Sequence, residues 1–335
     1  IIPAARYLQA IGDKDMDHSV YQDLEQCRRL WEENWPVKEI FDLWQVRFCF
    51  HEAYRNPLQF HTIEQSGRIK GFLPLSWNEE SKNFVFFPGE TWHGKTWLEQ
   101  NRIIADDSQL LDKLLAAVQG PMHLRYLSWD PILDNVLPSK EDEIGYCFYP
   151  GMYDFSFDNY WLGFSGKSRK KIRTELNKLE NQKLTFRFNQ FEDLDHMFEM
   201  NQTAFANNSY FNDTRFYNSF DRLACFLSEM GMLRIITILV GDKIAAVDMG
   251  AVFNSTYTLF AGGTNTEFPG IAKIINLHHM EWACKQRFKA VDFLCGDFNW
   301  KKRFHLSPRP LYEITTNKPV SRQKWSNHEK EAVCA

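Results

Sequence analysis

The sequence has little of what would tie a protein to a membrane or to a disulfide framework. Among its 335 residues there is no run of about 18 apolar residues, so we expect neither a transmembrane helix nor membrane insertion. The 7 cysteines are scattered, odd in number and never spaced Cys-x-x-Cys, which argues against disulfides and against a zinc site. The simpler interpretation is a reducing, cytoplasmic location.

Strong net charge and two common hydrolase signatures are also missing. The formal net charge of −4 argues against broad, sequence-independent binding of nucleic acid, and we expect no DNA partner, although a local basic patch is compatible with this charge. Neither His-Glu-x-x-His nor Gly-x-Ser-x-Gly occurs, so zinc proteolysis and α/β-hydrolase chemistry have no local support. His278 and His279 fall in a predicted helix without a matching ligand spacing, and we therefore expect no metal.

Aromatic residues, in contrast, are abundant. They make up 15% of the chain, with 28 Phe and 11 Trp, and hydrophobic residues reach 44%. This composition is ample for real cores, and some aromatic side chains are predicted to line a cleft. The length of 335 residues corresponds to two domains of ordinary size or to one large one.

Helix and strand patterns follow each other in the same order twice. In each half the pattern predicts helices, then a meander of strands, then a helix and a strand. The hairpins predicted at 65–75 and 240–248 also share a turn that is followed by a cation and Ile. We interpret this as weak internal duplication; the alternative is that two unrelated meanders share hairpin chemistry. The boundary near Pro150 then divides the chain into a polar leader (1–18), two α/β units (19–150 and 151–320) and a polar tail (321–335).

Individual elements are predicted from the same patterns. In the first half, helices are expected at 20–35, 40–54 and 109–118, and strands at 58–65, 69–77, 83–87 and 123–129. In the second half, helices are expected at 165–179, 191–205, 213–230 and 271–288, and strands at 184–189, 233–240, 243–253, 256–262, 290–295 and 313–316.

The most informative stretch follows the last strongly apolar run. The buried strand ends at Gly296-Asp297, and Trp300, Lys301 and Arg303 follow within a few residues. Open α/β sheets place ligands beyond the carboxyl ends of their strands. A carboxylate and two cations at such a strand end indicate a site of chemistry, in which Trp300 and Arg303 are expected to contact the substrate.

This stretch resembles the closing motif of the CelD/BcsL-type acetyltransferase-like family, a branch of the GNAT superfamily related to the Fem aminoacyl transferases. In that family a Gly-Asp follows the strand and an aromatic-Lys-x-x-aromatic comes soon after, as Trp300, Lys301 and Phe304 do here. The resemblance covers roughly 20–316. It implies an α/β (α+β) fold of tandem GNAT-like units, each a mixed, mostly antiparallel sheet flanked by helices, with a cleft between them.

A loop ahead of the predicted helix 271–288 resembles the acyl-CoA loop of the superfamily, (Gln/Arg)-x-x-Gly-x-(Gly/Ala). The resemblance implies that Gly270, Ile271 and Ala272 turn backbone N–H groups toward the pyrophosphate of acyl-CoA, with acetyl-CoA as the expected donor. Glu267 departs from the pattern, because it is an anion where the superfamily has Gln or Arg. The alternative is an ordinary Pro-Gly helix entry.

A cluster of cations begins the predicted helix 165–179. Cations at a helix N-terminus oppose the helix dipole, which hints at an anionic partner. The family has a similar Ser-x-Lys-x-Arg-x-x-(Leu/Ile)-Arg here, and the resemblance places Lys167, Arg169 and Arg173 on the anionic part of donor or acceptor. The alternative is a solvated face that Glu175 and other carboxylates neutralise.

Three residues are candidates for the chemical step. Asp248 lies in an otherwise apolar strand, where a carboxylate needs a partner or a raised pKa, and it is a candidate general base unless that strand is an exposed edge. Asp297 either caps the turn, pairs with Lys301 or Arg303, or orients the nucleophile. Lys301 resembles the lysine that the Fem branch places on the oxyanion, and its alternative role is to neutralise Asp297.

The first half contributes one unusual segment, 89–102, which related proteins place as a loop facing the cleft. Trp92 and Trp97 are expected to stack on a sugar or base, and His93 is a candidate for proton transfer, although a lone His more often lies on the surface. The polar residues expected to contact substrate from this segment are Glu99 and Asn101.

The function that follows from the resemblance is acyl transfer from acyl-CoA to an amine or hydroxyl of a small-molecule, sugar or polysaccharide-related acceptor. One alternative is a Fem-type transferase that uses aminoacyl-tRNA, which is the only hypothesis in which tRNA is a partner. The other is a non-catalytic glycan-binding module of a polysaccharide-synthesis system.

Overall fold

The computed structural model describes residues 16–135, 140–296 and 298–317. Most of the predicted leader, the predicted tail and the candidate Asp297 lie outside these ranges. Among the described residues, no helix is both long enough and apolar enough to cross a membrane.

Strands and helices alternate in the N-terminal half. The strands are β1 (Met16–Tyr21), β2 (Leu58–Gln65), β3 (Arg68–Asn78), β4 (Asn83–Phe86), β5 (Ile104–Ala105), β6 (Met122–Ser128) and β7 (Lys140–Phe148). The α-helices are α1 (Leu24–Asn34), α2 (Trp44–Tyr54) and α3 (Ser108–Ala117).

The C-terminal half also contains both strands and helices. Its strands are β8 (Leu184–Phe188), β9 (Leu233–Val240), β10 (Lys243–Phe253), β11 (Thr256–Thr264), β12 (Ala290–Asp292) and β13 (Ser307–Thr316). Its α-helices are α4 (Phe157–Leu162), α5 (Gly166–Glu180), α6 (Asp193–Phe205), α7 (Thr214–Glu229), α8 (Ile271–Gln286) and α9 (Asn299–Arg303).

All of these strands form one continuous sheet. The strand order is β1-β2-β3-β4-β6-β13-β7-β12-β11-β10-β9-β8, and β5 pairs with β3 at the side. Only β4 with β6 and β11 with β12 pair in parallel, and both pairings are short: Phe84 pairs with Met122, and Thr256–Thr258 pairs with 290–292. Beyond these residues the two parallel pairs separate, so each half contains a gap in the sheet.

The two halves exchange strands where they meet. β13, from the end of the chain, lies between β6 and β7 of the N-terminal half, with Leu311 opposite Ser128 and Ser307 opposite Cys147. β7 in turn pairs with β12 of the C-terminal half. Each half is therefore completed by a strand that borders the other half.

Helices cover both faces of the sheet. One core cluster joins α2 of the N-terminal half to α6 and α7 of the C-terminal half, and it includes Phe50, Phe220 and the β10 residues Val247 and Met249. On the opposite face α5 and α8 pack over β9 and β10, with Ala246 in that cluster. Because side chains alternate along a strand, Asp248 points toward the α8 face.

The structure confirms the expected mixed α/β fold with a mostly antiparallel sheet flanked by helices. Three strands, Leu58–Gln65, Leu233–Val240 and Lys243–Phe253, have the predicted bounds. The prediction of a helix over 20–35 is wrong at its start, because residues up to Tyr21 pair with β2 and the helix begins after its Asp23 cap.

Other differences concern short or interrupted elements. The helix predicted over 40–54 is divided into a 3₁₀ turn, Ile40–Asp42, and α2. The strand predicted over 290–295 ends at Asp292, where the chain leaves the sheet, while β13 begins six residues before the predicted 313. The pattern did not indicate β7, since four of its residues, 140–143, are charged.

Candidate active site at the junction of the halves

The carboxyl end of β12 is where the two halves share buried polar contacts. The Asp292 carboxylate accepts hydrogen bonds from the Leu294 N–H at 2.9 Å and from the Gln100 amide at 2.6 Å, and it pairs with Arg309 at 3.1 Å. Gln100 belongs to the N-terminal loop and Arg309 to β13. One buried carboxylate therefore ties together three segments that are far apart in sequence.

Glu99 is the second carboxylate of this cluster. One of its oxygens accepts the Cys295 N–H at 2.7 Å, and the other lies 3.4 Å from the Arg309 guanidinium. The residue is 4% exposed. Burial is the largest influence and raises the pKa of Glu99 to about 7, against the opposing effect of Arg309. A carboxylate with such a pKa is suited to general-base chemistry near neutral pH.

The backbone around Glu99 adopts unusual conformations. Gln100, Tyr126 and Leu294 are non-glycine residues with φ of +60°, +55° and +54°. They lie in three different segments, and the Asn101 N–H donates to the Tyr126 carbonyl at 2.9 Å. Residues in this left-handed region cost free energy and concentrate at functional sites. Their clustering supports the junction as the candidate active site.

Lys301 lies beneath the same strand end and is 2% exposed. Its ammonium donates to the carbonyls of Phe293, Leu294 and Cys295 at 2.9, 2.8 and 2.8 Å. Burial lowers its pKa, and the negative charge of Glu99 is the main opposing influence. An ammonium has three donors, so all of them are used by the backbone. An oxyanion contact, as predicted for Lys301, requires one of these bonds to break.

Asp248 lies apart from this cluster, in a buried pair. Its carboxylate contacts His279 Nε2 at 2.8 Å, and His279 is 0% exposed. The opposite residue in β11 is Gly262, where an added Cβ would lie 2.1 Å from Asp248 Oδ1. The strand is therefore not an exposed edge, and the carboxylate has the partner that burial requires. The role of Asp248 as base stays a prediction.

The predicted donor loop begins α8. Gly270 is the N-cap with φ of +96°, a conformation that favours glycine, and Ile271 and Ala272 open the helix. The surrounding charges are paired: Lys243 contacts Glu267 at 2.8 Å, and Lys273 contacts Glu175. An anion bound here would compete with two carboxylates for these lysines.

Glu175 is the residue of the basic helix that lies beside Gly270. An added Cβ on Gly270 would lie 3.9 Å from Glu175, whereas Arg169 and Arg173 lie about 120° and 160° around α5 from that residue. Lys167 lies about 12 Å farther along the helix axis. The structure therefore does not bring these three predicted cations together at the donor loop.

The segment 89–102 crosses from the N-terminal half toward the C-terminal half. At its tip the Trp92 N–H donates to the Lys95 carbonyl at 2.9 Å, and the exposed His93 and half-buried Trp92 border an open depression. The Trp92 ring lies 5.8 Å from Tyr210 of the other half. The two residues thus lie at the surface where the halves meet, and their predicted contact with substrate stays a prediction.

Trp97 lies deeper than Trp92. Its ring is 5.7 Å from Phe260 of β11 and 4.8 Å from Phe220 of α7. Leu98 belongs to the same core cluster, together with Leu294. Leu98 is thus part of the core that faces α6 and α7, and the partly buried Trp97 packs against it.

The remaining residues predicted to contact substrate, Trp300 and Arg303, belong to α9. Trp300 packs between Phe293 and Phe304, with ring centroids 5.5 and 5.8 Å away. Arg303 is exposed and its Nε donates to the Asn299 carbonyl at 3.3 Å. Asp297, which precedes this helix, lies outside the described residues.

Residues 89–96, Gly-Glu-Thr-Trp-His-Gly-Lys-Thr, also match the spacing of a phosphate-binding P-loop. The fold does not supply its context, because no helix follows Thr96 directly. Glu90 instead occupies the donors of this loop: it accepts from the Thr96 hydroxyl at 2.5 Å and from the N–H groups of Trp97 and Leu98 at 2.9 and 2.7 Å. The loop thus binds its own carboxylate.

Sequence reasoning missed part of the junction. Asp292 was visible as a carboxylate inside an apolar run, the same signal that singled out Asp248. Arg309 and Tyr126 carry no local signal, because their importance depends on contacts with residues far away in sequence. Within the described ranges, no group of three or more His, Cys, Asp or Glu side chains is placed to hold a metal ion.

Comparison with known proteins agrees with this architecture. A family model described as an acetyltransferase (GNAT) domain matches residues 166–302. The search of curated proteins finds no significant match. The matched region includes α8, β12 and all of α9 except Arg303, but not the N-terminal loop that completes the junction.

Solved structures of low sequence identity share the fold across both halves. A Bacteroides thetaiotaomicron protein of unknown function is 13% identical with a TM-score of 0.57, and the match covers 90% of this chain and 100% of that one. FemX is 11% identical with a TM-score of 0.56, covering 90% and 98%. L-PGS from Bacillus licheniformis is 11% identical with a TM-score of 0.55, covering 90% and 94%. Residues 166–302 therefore match an acetyltransferase (GNAT) domain model, and the solved structures share the fold of both halves.

Proposed function

We propose that this protein is an acyltransferase of the CelD/BcsL type, in which Glu99 is the general base at the junction of the halves. The observation that carries the proposal is a buried carboxylate, with a pKa of about 7, held against the end of β12 where β11 and β12 separate. An attacking amine or hydroxyl gives its proton to Glu99 as it bonds to the acyl carbon. The carbon–sulfur bond of the thioester breaks, and the thiolate leaves and takes up a proton.

The proposed donor is acyl-CoA, with acetyl-CoA as the first candidate. Residues fit its pyrophosphate at the start of α8, where Gly270 permits close approach and the helix dipole favours an anion. Lys243 and Lys273 flank this loop and are available once the exposed pair with Glu267 and the partly buried pair with Glu175 open. The cations Lys167, Arg169 and Arg173 then form a separate surface for an anionic part of the acceptor.

The proposed acceptor is a small molecule, a sugar or a polysaccharide-related compound in the cytoplasm. Trp92, His93 and Asn101 are proposed to contact it from the N-terminal half. Lys301 acts in this account as a positioning residue, because it holds the backbone that presents the Cys295 N–H to Glu99. Asp248, paired with His279, is the second candidate for the base.

Calorimetric titration with acetyl-CoA and free CoA tests the donor. We expect saturable binding that Gly270→Asp abolishes and Gly241→Asp retains, because both glycines have positive φ but only Gly270 begins α8. Binding that is the same in both variants would reject the proposed donor loop.

One observation favours the aminoacyl-tRNA alternative. Trp97 and Leu98 pack into the core beside the gap between β11 and β12. Two carboxylates, Glu267 of the loop and Glu175 of α5, already pair with the lysines at the proposed donor site, and an acyl-CoA pyrophosphate must displace them. If no CoA species binds, the same titration with an aminoacyl-tRNA is the next measurement. If neither CoA nor aminoacyl-tRNA binds, the remaining alternative is a non-catalytic glycan-binding module.

A further inference from the structure

We propose that the gap between β4 and β6 in the N-terminal half is a binding pocket for one neutral sugar unit. The gap opens beyond the single pairing of Phe84 with Met122, and it encloses a cavity of about 100 Å³. Helix α2, β4, β6 and the 89–102 loop surround it. The lining residues that carry the argument are Arg47, Val85, Phe86, Glu90, Leu98 and Asn101.

Arg47 lines this pocket and has an unused donor. The side chain is 1% exposed, and its Nε and Nη1 donate to the carbonyls of Phe41 and Phe87 at 2.7 and 2.5 Å. Its Nη2 is buried and has no hydrogen-bond partner among the described residues. A buried N–H without a partner costs free energy that a ligand oxygen can recover.

Asn101 presents the complementary acceptor. Its amide nitrogen donates to the carbonyls of Leu98 and Arg125 at 3.2 and 3.0 Å, which fixes the orientation of the amide. Its Oδ1 is then the free end, and it is buried without a partner among the described residues. The residue is 4% exposed. Two residues that line the pocket therefore hold one unmet donor and one unmet acceptor.

The charges around the pocket favour a neutral ligand over an anion. Arg47 is compensated by the nearby Glu90 and Asp42 carboxylates, and burial lowers its pKa to about 10. Arg125 is bonded through two nitrogens to Asp142, at 3.1 and 2.5 Å. A phosphate or carboxylate would also face the Asn101 oxygen. A hydroxyl both accepts and donates, so adjacent hydroxyls satisfy Arg47 and Asn101 together.

The walls and the size of the pocket fit one pyranose ring. Val85, Phe86 and Leu98 supply apolar surface for the C–H faces of a sugar. Since one water needs roughly 10–15 Å³ on this measure, about 100 Å³ accommodates one ring-sized molecule. The space is too small for CoA or an oligosaccharide. Binding here requires no turnover, so the proposal goes beyond the proposed transferase reaction.

Saturation-transfer NMR with glucose, galactose, mannose and N-acetylglucosamine tests the pocket directly. We expect at least one sugar to bind the wild type. Val85→Phe fills the cavity and should weaken that binding at least tenfold, whereas Val85→Ala should retain it. Val20→Phe, the same enlargement on a β1 residue that is 41% exposed, is the matched control and should bind as the wild type does.

The result that overturns the proposal is either no binding of any of these sugars or binding that Val85→Phe leaves unchanged. Inorganic phosphate and acetate are titrated alongside, and binding of these anions without binding of a sugar also overturns it. Melting curves of the variants show whether each is folded. Acetyl-CoA titration on the same samples separates the two proposals, because sugar binding without CoA binding supports the pocket and rejects the CoA-dependent transfer.

Discussion

Buried charged side chains at the end of β12 determine what the site can do. Glu99 and Asp292 share Arg309, and Lys301 fixes the carbonyls of the residues that follow Asp292. Each of these groups is expensive to bury alone and is retained because partners from other segments satisfy it. Replacing one of them therefore changes both stability and its dependence on pH.

Glu99 should make the protein less stable as pH rises toward neutrality. Its pKa is about 7 in the folded protein against an ordinary 4.5, so between these values the folded state holds a proton that the unfolded state has lost. Stability then falls through this window by up to about 3 kcal/mol. Urea denaturation at about pH 5 and about pH 8 measures this loss, and the free energy of unfolding should fall less between the two pH values in Glu99→Gln than in the wild type. Glu32→Gln, exposed on α1, should keep the wild-type fall, and equal pH dependence in all three proteins would contradict the assignment.

Lys301 should matter for stability more than its exposed neighbour does. Lys301→Met removes the ammonium donor from the carbonyls of Phe293, Leu294 and Cys295, of which Leu294 keeps the Tyr146 N–H at 3.2 Å. We expect this loss to cost about 3 kcal/mol in the free energy of unfolding. Arg303→Met, on the exposed side of α9, should change it by less than about 0.5 kcal/mol. Chemical denaturation of both variants decides this, and a small effect of Lys301→Met would show that its ammonium is not held as described.

At the scale of elements, the start of α8 is both a structural cap and the proposed donor site. Gly270 takes a left-handed conformation there, as Gly241 does in the β9–β10 hairpin. The two glycines differ in what surrounds them, because only Gly270 lies beside a helix N-terminus and Glu175. This pair separates the effect of backbone strain from an effect on ligand binding.

We expect Gly270→Ala and Gly241→Ala to lower stability by a similar amount, about 1 kcal/mol each, because both force alanine into positive φ. Only Gly270→Ala should also weaken acetyl-CoA binding, since it changes the approach to the α8 backbone. Thermal melting and calorimetric titration measure the two effects. Equal weakening of acetyl-CoA binding by both substitutions would place the donor elsewhere.

Regular elements were predictable from local pattern, whereas the junction was not. Strands such as Leu233–Val240 alternate or run apolar between turn residues, so the pattern alone places them. β7 was not predicted because its first four residues are charged, and its pairing partners, β12 and β13, both lie far away in sequence. The contact of Glu99 with Arg309 spans 210 residues and has no local signal.

The whole molecule is held together by the exchange of β7 and β13. Removing either half leaves the edges of these strands unpaired and divides the core cluster that joins α2 to α7. The junction site exists only in the assembled pair, because Glu99 belongs to one half and Cys295 to the other.

The halves should consequently fail to fold separately. We expect fragments 1–150 and 151–335, each expressed alone, to lack a cooperative thermal transition, and coexpression of the two to restore one. Circular dichroism during heating measures this. A cooperative transition in either isolated fragment would show that the exchanged strands are dispensable.

The most direct test of the central claim is the rate of acyl transfer from labelled acetyl-CoA to a panel of amines and sugars, compared between the wild type and Glu99→Gln across pH. The proposed base must be ionised, so the wild-type rate should rise with pH through about 7. Glu99→Gln should be slower by about 10²–10⁴ and lack that rise. Equal rates and the same pH dependence in both proteins would contradict the account, and a loss of transfer in Asp248→Asn alone would assign the base to the Asp248–His279 pair instead.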